Sequence, residues 1–197
     1  MTFQKICFGH KIKSLVDFLI SSHPIAVTLR EHVVFKIVPM LNPDGAFLGN
    51  YRTNVMGMDL NRQWTEPSQW AHPTVFSAKN LISDIDEDKN ADLDFVIDLH
   101  AHTSLLGAFV YGNIYDDVYR YERHIVFPKM LSQVAEDYNA NNCVYNRDPQ
   151  KVNCARSVSQ PRLSRQVLEF SAVLFSPQTR ITARSGRDEG FLYSGEV

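Results

Sequence analysis

DFVIDLHAHTS, residues 94–104, is an apolar run that ends in two histidines one residue apart. Phe95, Val96, Ile97 and Leu99 lie between polar neighbours, and the run is too short for an ordinary helix, so it reads as a strand buried on both faces. Side chains alternate along a strand, which projects Asp98, His100 and His102 from one face. Three potential ligands at one strand end suggest a metal site more than core. A catalytic zinc takes three protein ligands and keeps a position for water, so this strand end alone does not complete a site. Taken alone, His102 reads as an ordinary satisfied histidine.

On the N-terminal side of this strand, Ile12, Leu15, Val16 and Leu19 recur at i, i+3, i+4 and i+7, the spacing of an amphipathic helix stopped before Pro24. VVFKIVPML, residues 33–41, reads as a buried strand because it is rich in β-branched residues. Asn42-Pro43-Asp44-Gly45 then supplies turn chemistry. A loop rich in Gly and Asn runs to about Trp70. SAKNLISDIDED reads as a helix with an acidic end, and AFVYG as another strand. FPKMLSQVAEDYN places Pro128 in a first turn, with Met130, Leu131, Val134, Ala135 and Tyr138 on one stripe. Helices alternating with buried strands imply an α/β fold, an incomplete α/β/α sandwich with a mixed central sheet.

The chain has 197 residues and 44% hydrophobic content, which suits one domain with a substantial core. Its net charge of -2 implies no overall bias toward nucleic acid or an anionic membrane, and no apolar stretch is long enough to span one. Cys7, Cys143 and Cys154 form no CxxC pair and are odd in number, which fits a reducing compartment and a cytosolic location. Composition changes near Asn146. Residues 1–146 carry seven Lys and five Arg against seventeen acidic residues, a net of -5, whereas residues 147–197 carry one Lys and seven Arg against five acidic residues, a net of +3. After Phe175 the sequence has no period of either kind, so we expect a folded domain over 1–175 and a disordered tail over 176–197.

MLNPDGAFLGNYRTNVMGMDLNRQW, residues 40–64, together with DLHAH resembles the M14 metallocarboxypeptidases, and within them the cytosolic carboxypeptidases that trim glutamates from tubulin tails. WAHPT, HAHTSLLGAFVYGN and YNRD extend the resemblance over residues 11–146. Several motifs in order are harder to meet by chance than one. The resemblance implies a peptide hydrolase with one Zn²⁺ ion that acts on acidic C-terminal tails, tubulin among them. It assigns Asn61 and Arg62 to a clamp on the terminal carboxylate, Arg52 to the scissile carbonyl and oxyanion, and His100 to one zinc ligand. Asp59 becomes the carboxylate that orients another ligand histidine. A guanidinium suits both arginine tasks, since it pairs with a carboxylate through two charge-assisted hydrogen bonds and stays charged in a dry site.

The family's other two ligands come from an HxxE motif, and no histidine of this chain has a glutamate three residues later. The resemblance therefore implies an N-terminally truncated form with one of three ligands and weak or no activity. Glu169 in QVLEFS is the nearest match to the general base of the family. Arg147, Lys151 and Arg156 are candidates for a cation that would receive a glutamate side chain. One alternative is a catalytically inactive isoform that binds acidic tails. Another, an amidohydrolase-like enzyme using His100 and His102 as a metal pair, would need later histidines, and none follows Asn146.

Overall fold

Helix termini and strand pairings are described in a computed structural model for residues 3–100, 107–138, 140–145, 153–159 and 166–173. Expectations for His102, Arg147, Lys151 and the 176–197 tail lie outside these residues. The chain divides into two units, Met1–Leu93 with Gln150–Val158, and Asp94–Pro149 with Ser159–Val197.

The first unit opens with α1 (Phe3–Ile20) and α2 (Pro24–His32). Ser21 closes the first helix by donating its Oγ to the Phe18 carbonyl at 2.7 Å, and His23 starts the second: its Nδ1 accepts from the Ile25 N–H, while Pro24 sits where a helix needs no donor. Arg30 of α2 reaches back to donate to the carbonyls of Leu19 and Ser21. The segment 33–41, expected as a buried strand, forms no strand, and Val34 is 82% exposed. Its β-branched residues favour extended backbone, and Val33 adopts it, but a strand also needs a neighbour's ladder, and none of the described residues supplies one. α3 (Pro43–Leu48) comes next, capped by Asn42 and closed by Gly49 at φ 86°. α4 (Pro73–Glu87) buries Val75 and Ala78 and packs Ile82 beside them. With Leu60, Trp64 and Ala155 these form the core of the unit. Ala155 belongs to α6 (Ala155–Ser159), so residues far along the chain return to this core.

In the second unit, β1 (Phe95–His100), β2 (Gly107–Gly112), β3 (Val144–Tyr145) and β4 (Gln166–Val173) form one sheet in the order β1-β4-β2-β3. β1 runs parallel to β4, β4 antiparallel to β2, and β2 parallel to β3, so the sheet is mixed as expected. Among the described residues β1 lies at the edge of the sheet, and Phe95 and Ile97 are exposed, which corrects the reading of this strand as buried on both faces. That description belongs to β2, an inner strand whose consecutive Phe109 and Val110 are both fully buried.

α5 (Val118–Val134) carries a second correction, because Pro128 lies in its interior and not in a first turn. The true start is Asp117, whose side chain accepts from the Tyr119 and Arg120 N–H groups. The helix buries His124 and Pro128 and half-buries Phe127 and Leu131; of the expected stripe, Leu131, Ala135 and Tyr138 pack inward, while Met130 and Val134 are exposed. Phe127 and Leu131 pack with Val110 and Tyr138.

Candidate functional site

Arg52, Asp59, Asn61 and Arg62 all stand on one loop of the first unit, between α3 and α4. Thr53 and Asp59 form an isolated antiparallel bridge, and the chain reverses between them with Gly57 at φ 75°. Asp59 uses both carboxylate oxygens. Oδ2 lies 2.9 Å from Arg52 Nη2 in an ion pair, and Oδ1 accepts from the Asn61 N–H at 3.0 Å, capping the 3₁₀ turn Leu60–Arg62. In this structure the carboxylate expected to orient a histidine holds Arg52 and caps the turn that carries Asn61 and Arg62. The pair is largely exposed on the arginine side, so its net contribution to stability is modest.

Asn61 is oriented from the other side. Its Oδ1 accepts from the Ala155 N–H at 3.3 Å, at the start of α6. Asn153 reinforces the contact, its carbonyl accepting from the Trp64 N–H at 3.1 Å and its side chain accepting from Thr65 Oγ1 at 2.7 Å. With the amide oxygen accepting, Nδ2 is the end of the amide suited to a ligand carboxylate. Arg62 folds its Nη1 onto the Asn61 carbonyl at 3.0 Å. Arg156, one residue beyond Ala155, is 1% exposed. A guanidinium that deep in a unit carries a large desolvation cost.

His100 and Glu169 belong to the second unit. His100 Nδ1 lies 3.1 Å from Asp98 Oδ1 on the same strand face, an ion pair when the imidazole is protonated but without hydrogen-bond geometry. The backbone register sets position 169 level with Asp98 on one side and Tyr111 on the other. Among the described residues no three His, Cys, Asp or Glu side chains gather as a metal-binding group. His100 carries the donor type of one ligand position, and the described donors do not make a complete zinc site.

Sequence reasoning singled out Arg156 but missed the roles of Asn153 and Ala155, because the composition change at Asn146 marked the residues beyond it as different in style. The sequence offered no signal for that contact, since Cys154-Ala155 has no meaning until the turn at Asn61 is seen against it.

A zinc carboxypeptidase family model, Peptidase_M14, matches residues 11–160 of the chain. Cytosolic carboxypeptidase 6 of Mus musculus is 51% identical over 144 residues, covering 73% of this chain and 27% of its own length. The Caenorhabditis elegans protein of the same name is 39% identical over 159 residues, covering 79% and 35%. A crystal structure of a metallo-carboxypeptidase from Burkholderia cenocepacia has a similar fold, with a TM-score of 0.68 over 77% of this chain and 39% of that one at 24% identity. The chain therefore spans about a quarter to a third of the length of these curated relatives.

Proposed function

The chain belongs to the zinc carboxypeptidase family, and from that premise we propose that its first unit grips the C-terminal carboxylate of acidic protein tails. Arg62 and Asn61 take the carboxylate, Arg62 by charge-assisted hydrogen bonds and Asn61 by its Nδ2 donor. Arg52 lies beside them on Asp59, within the same loop. The observation that carries this reading is the pinning of the Asn61 amide oxygen by the Ala155 N–H, which fixes the orientation of the amide donor.

The whole protein, in this proposal, is a carboxypeptidase of the cytosolic branch that removes glutamates from acidic tails such as those of tubulin, in the cytosol. The names of the similar proteins support the branch. Glu169 would serve as general base and His100 as one zinc ligand. With one ligand of the usual three, the 197-residue chain by itself binds tails with weak or no cleavage. We assign the acceptance of a glutamate side chain to Arg156, since it adjoins the residue that holds Asn61. The test is calorimetric titration of the chain with a peptide ending in glutamates and with the same peptide ending in glycines. Tighter binding of the acidic tail supports the reading, and equal binding contradicts the assignment of a cation to the pocket. Zinc analysis of the dialysed chain is expected to give well under one ion per molecule.

A further inference from the structure

We infer that Asn54, a residue outside the clamp, is the positioning residue that keeps Arg52 and Asp59 together and so sets the clamp's geometry. This rests on the carboxylate-gripping function just proposed.

Asn54 is 6% exposed and has polar contacts on every side. Its Oδ1 accepts from the N–H groups of Met56 and Met58, both at 3.0 Å. Its Nδ2 donates to the Ala71 carbonyl at 3.0 Å, tying the loop to the approach to α4. Its backbone N–H donates to the Met58 carbonyl at 2.9 Å, and its carbonyl accepts from the Gly57 N–H at 3.1 Å. One buried side chain thus closes residues 54–58 into a fixed turn, immediately inside the Thr53–Asp59 bridge. Two further asparagines brace the same point. Asn42 Nδ2 donates to the Thr53 carbonyl at 3.0 Å, and Asn50 Nδ2 donates to the carbonyls of Thr53 and Asn54 at 3.3 and 3.2 Å. The turn is held at its far side by His72, whose Nε2 lies 3.4 Å from Met58 Sδ.

Arg52 enters this turn and Asp59 leaves it, so the distance between them is set by how tightly residues 53–58 close. Asp59 in turn caps the Asn61 N–H. If Asn54 loses its acceptor, the Met56 and Met58 N–H groups are left to water or unmade, and the turn opens. Arg52 and Asp59 then separate, and the clamp residues beyond Asp59 lose their fixed orientation. The buried network is the kind that specifies one geometry when fully satisfied.

The experiment measures how far the 197-residue chain prefers a glutamate-ended peptide with a free carboxylate over the same peptide with a C-terminal amide. Three variants are compared with the native chain. Asn54→Ala removes the turn's acceptor. Gly57→Ala strains the same turn from its other end, where a Cβ meets nothing within 4 Å and only the positive φ is disturbed. Arg62→Ala reports on the clamp itself. Asn54→Ala and Gly57→Ala are each expected to lower the carboxylate preference by about tenfold at temperatures well below melting. A merely structural role would lower the melting temperature and leave that preference intact. If Arg62→Ala abolishes the preference while Gly57→Ala and Asn54→Ala keep it within twofold, the inference is overturned and the clamp stands. If Arg62→Ala keeps the preference, or the native chain shows none, the carboxylate reading fails and takes this inference with it. Should Asn54→Ala not fold, Gly57→Ala decides.

Discussion

In the first unit, side-chain amides hold a loop in shape; in the second, rings and a thiol pack beneath strands. Asn42, Asn50, Asn54 and Asn61 each engage backbone groups of the loop or of α6. The second unit instead stacks Phe109 edge-on against Tyr111 at 5.5 Å, sets His124 between Tyr115 and Tyr145, and places Tyr138 Oη 2.9 Å from Cys143 Sγ. The difference reflects what each must present. A strand holds His100 and Asp98 by its own ladder, so the protein need only pack the sheet. A loop has no ladder, and its arginines keep their places only if buried polar side chains satisfy its backbone.

Several experiments test that contrast, and the largest effect is expected in the second unit. Phe109→Ala removes a fully buried ring and should cost about 3–5 kcal/mol. Amide hydrogen exchange should show this as lost protection across β2. The contrast breaks if α4 loses protection equally. Next, Arg62→Ala removes charge-assisted bonds worth about 1.5–3 kcal/mol, so affinity for a glutamate-ended peptide should fall by about ten- to a hundredfold in titration calorimetry, with the melting temperature little changed. Unchanged affinity would move the clamp elsewhere. Arg156→Gln should narrow the preference for glutamate over glycine tails by several-fold, and a preference that survives would exclude this side chain as the pocket's cation.

The smallest effect concerns pH. Burial, then the neighbouring Cys143 and Tyr121, push the Tyr145 phenol up to about 12 from its ordinary 10.0. Burial and the hydrogen bond with Cys143 raise Tyr138 as well. A raised folded-state value means that the folded protein holds the proton more tightly than the unfolded chain. The resulting stability is intact below pH 10 and lost as pH rises toward about 12. Thermal melts across that window should show a decline that Tyr145→Phe makes shallower, and an equal decline in the variant would contradict the assignment.

Much of the fold was legible from residue spacing. The helix at Ile12–Leu19 and the strands around FVIDLH and AFVYG stand where periodicity put them, because each signal is local. Segment 33–41 misled because β-branched composition reports a preference for extended backbone and cannot report whether a partner strand lies alongside. Pro128 misled because proline usually marks a first turn, yet the cap at Asp117 starts the helix earlier and the ring is simply buried. The residues of the proposed clamp could be named only through a multi-motif resemblance, since a lone arginine in a loop has no distinguishing pattern. Asn54 had no signal at all. Asparagine is common in loops, and its importance comes from partners at Met56, Met58 and Ala71 that only folding assembles.

Recognition of a terminal carboxylate by the first unit is decided by one comparison of affinities. The native 197-residue chain is titrated calorimetrically, at moderate ionic strength, with a glutamate-ended peptide and with the identical peptide capped as its C-terminal amide. The clamp predicts at least about tenfold tighter binding of the free carboxylate. Equal affinities for the two peptides would contradict it.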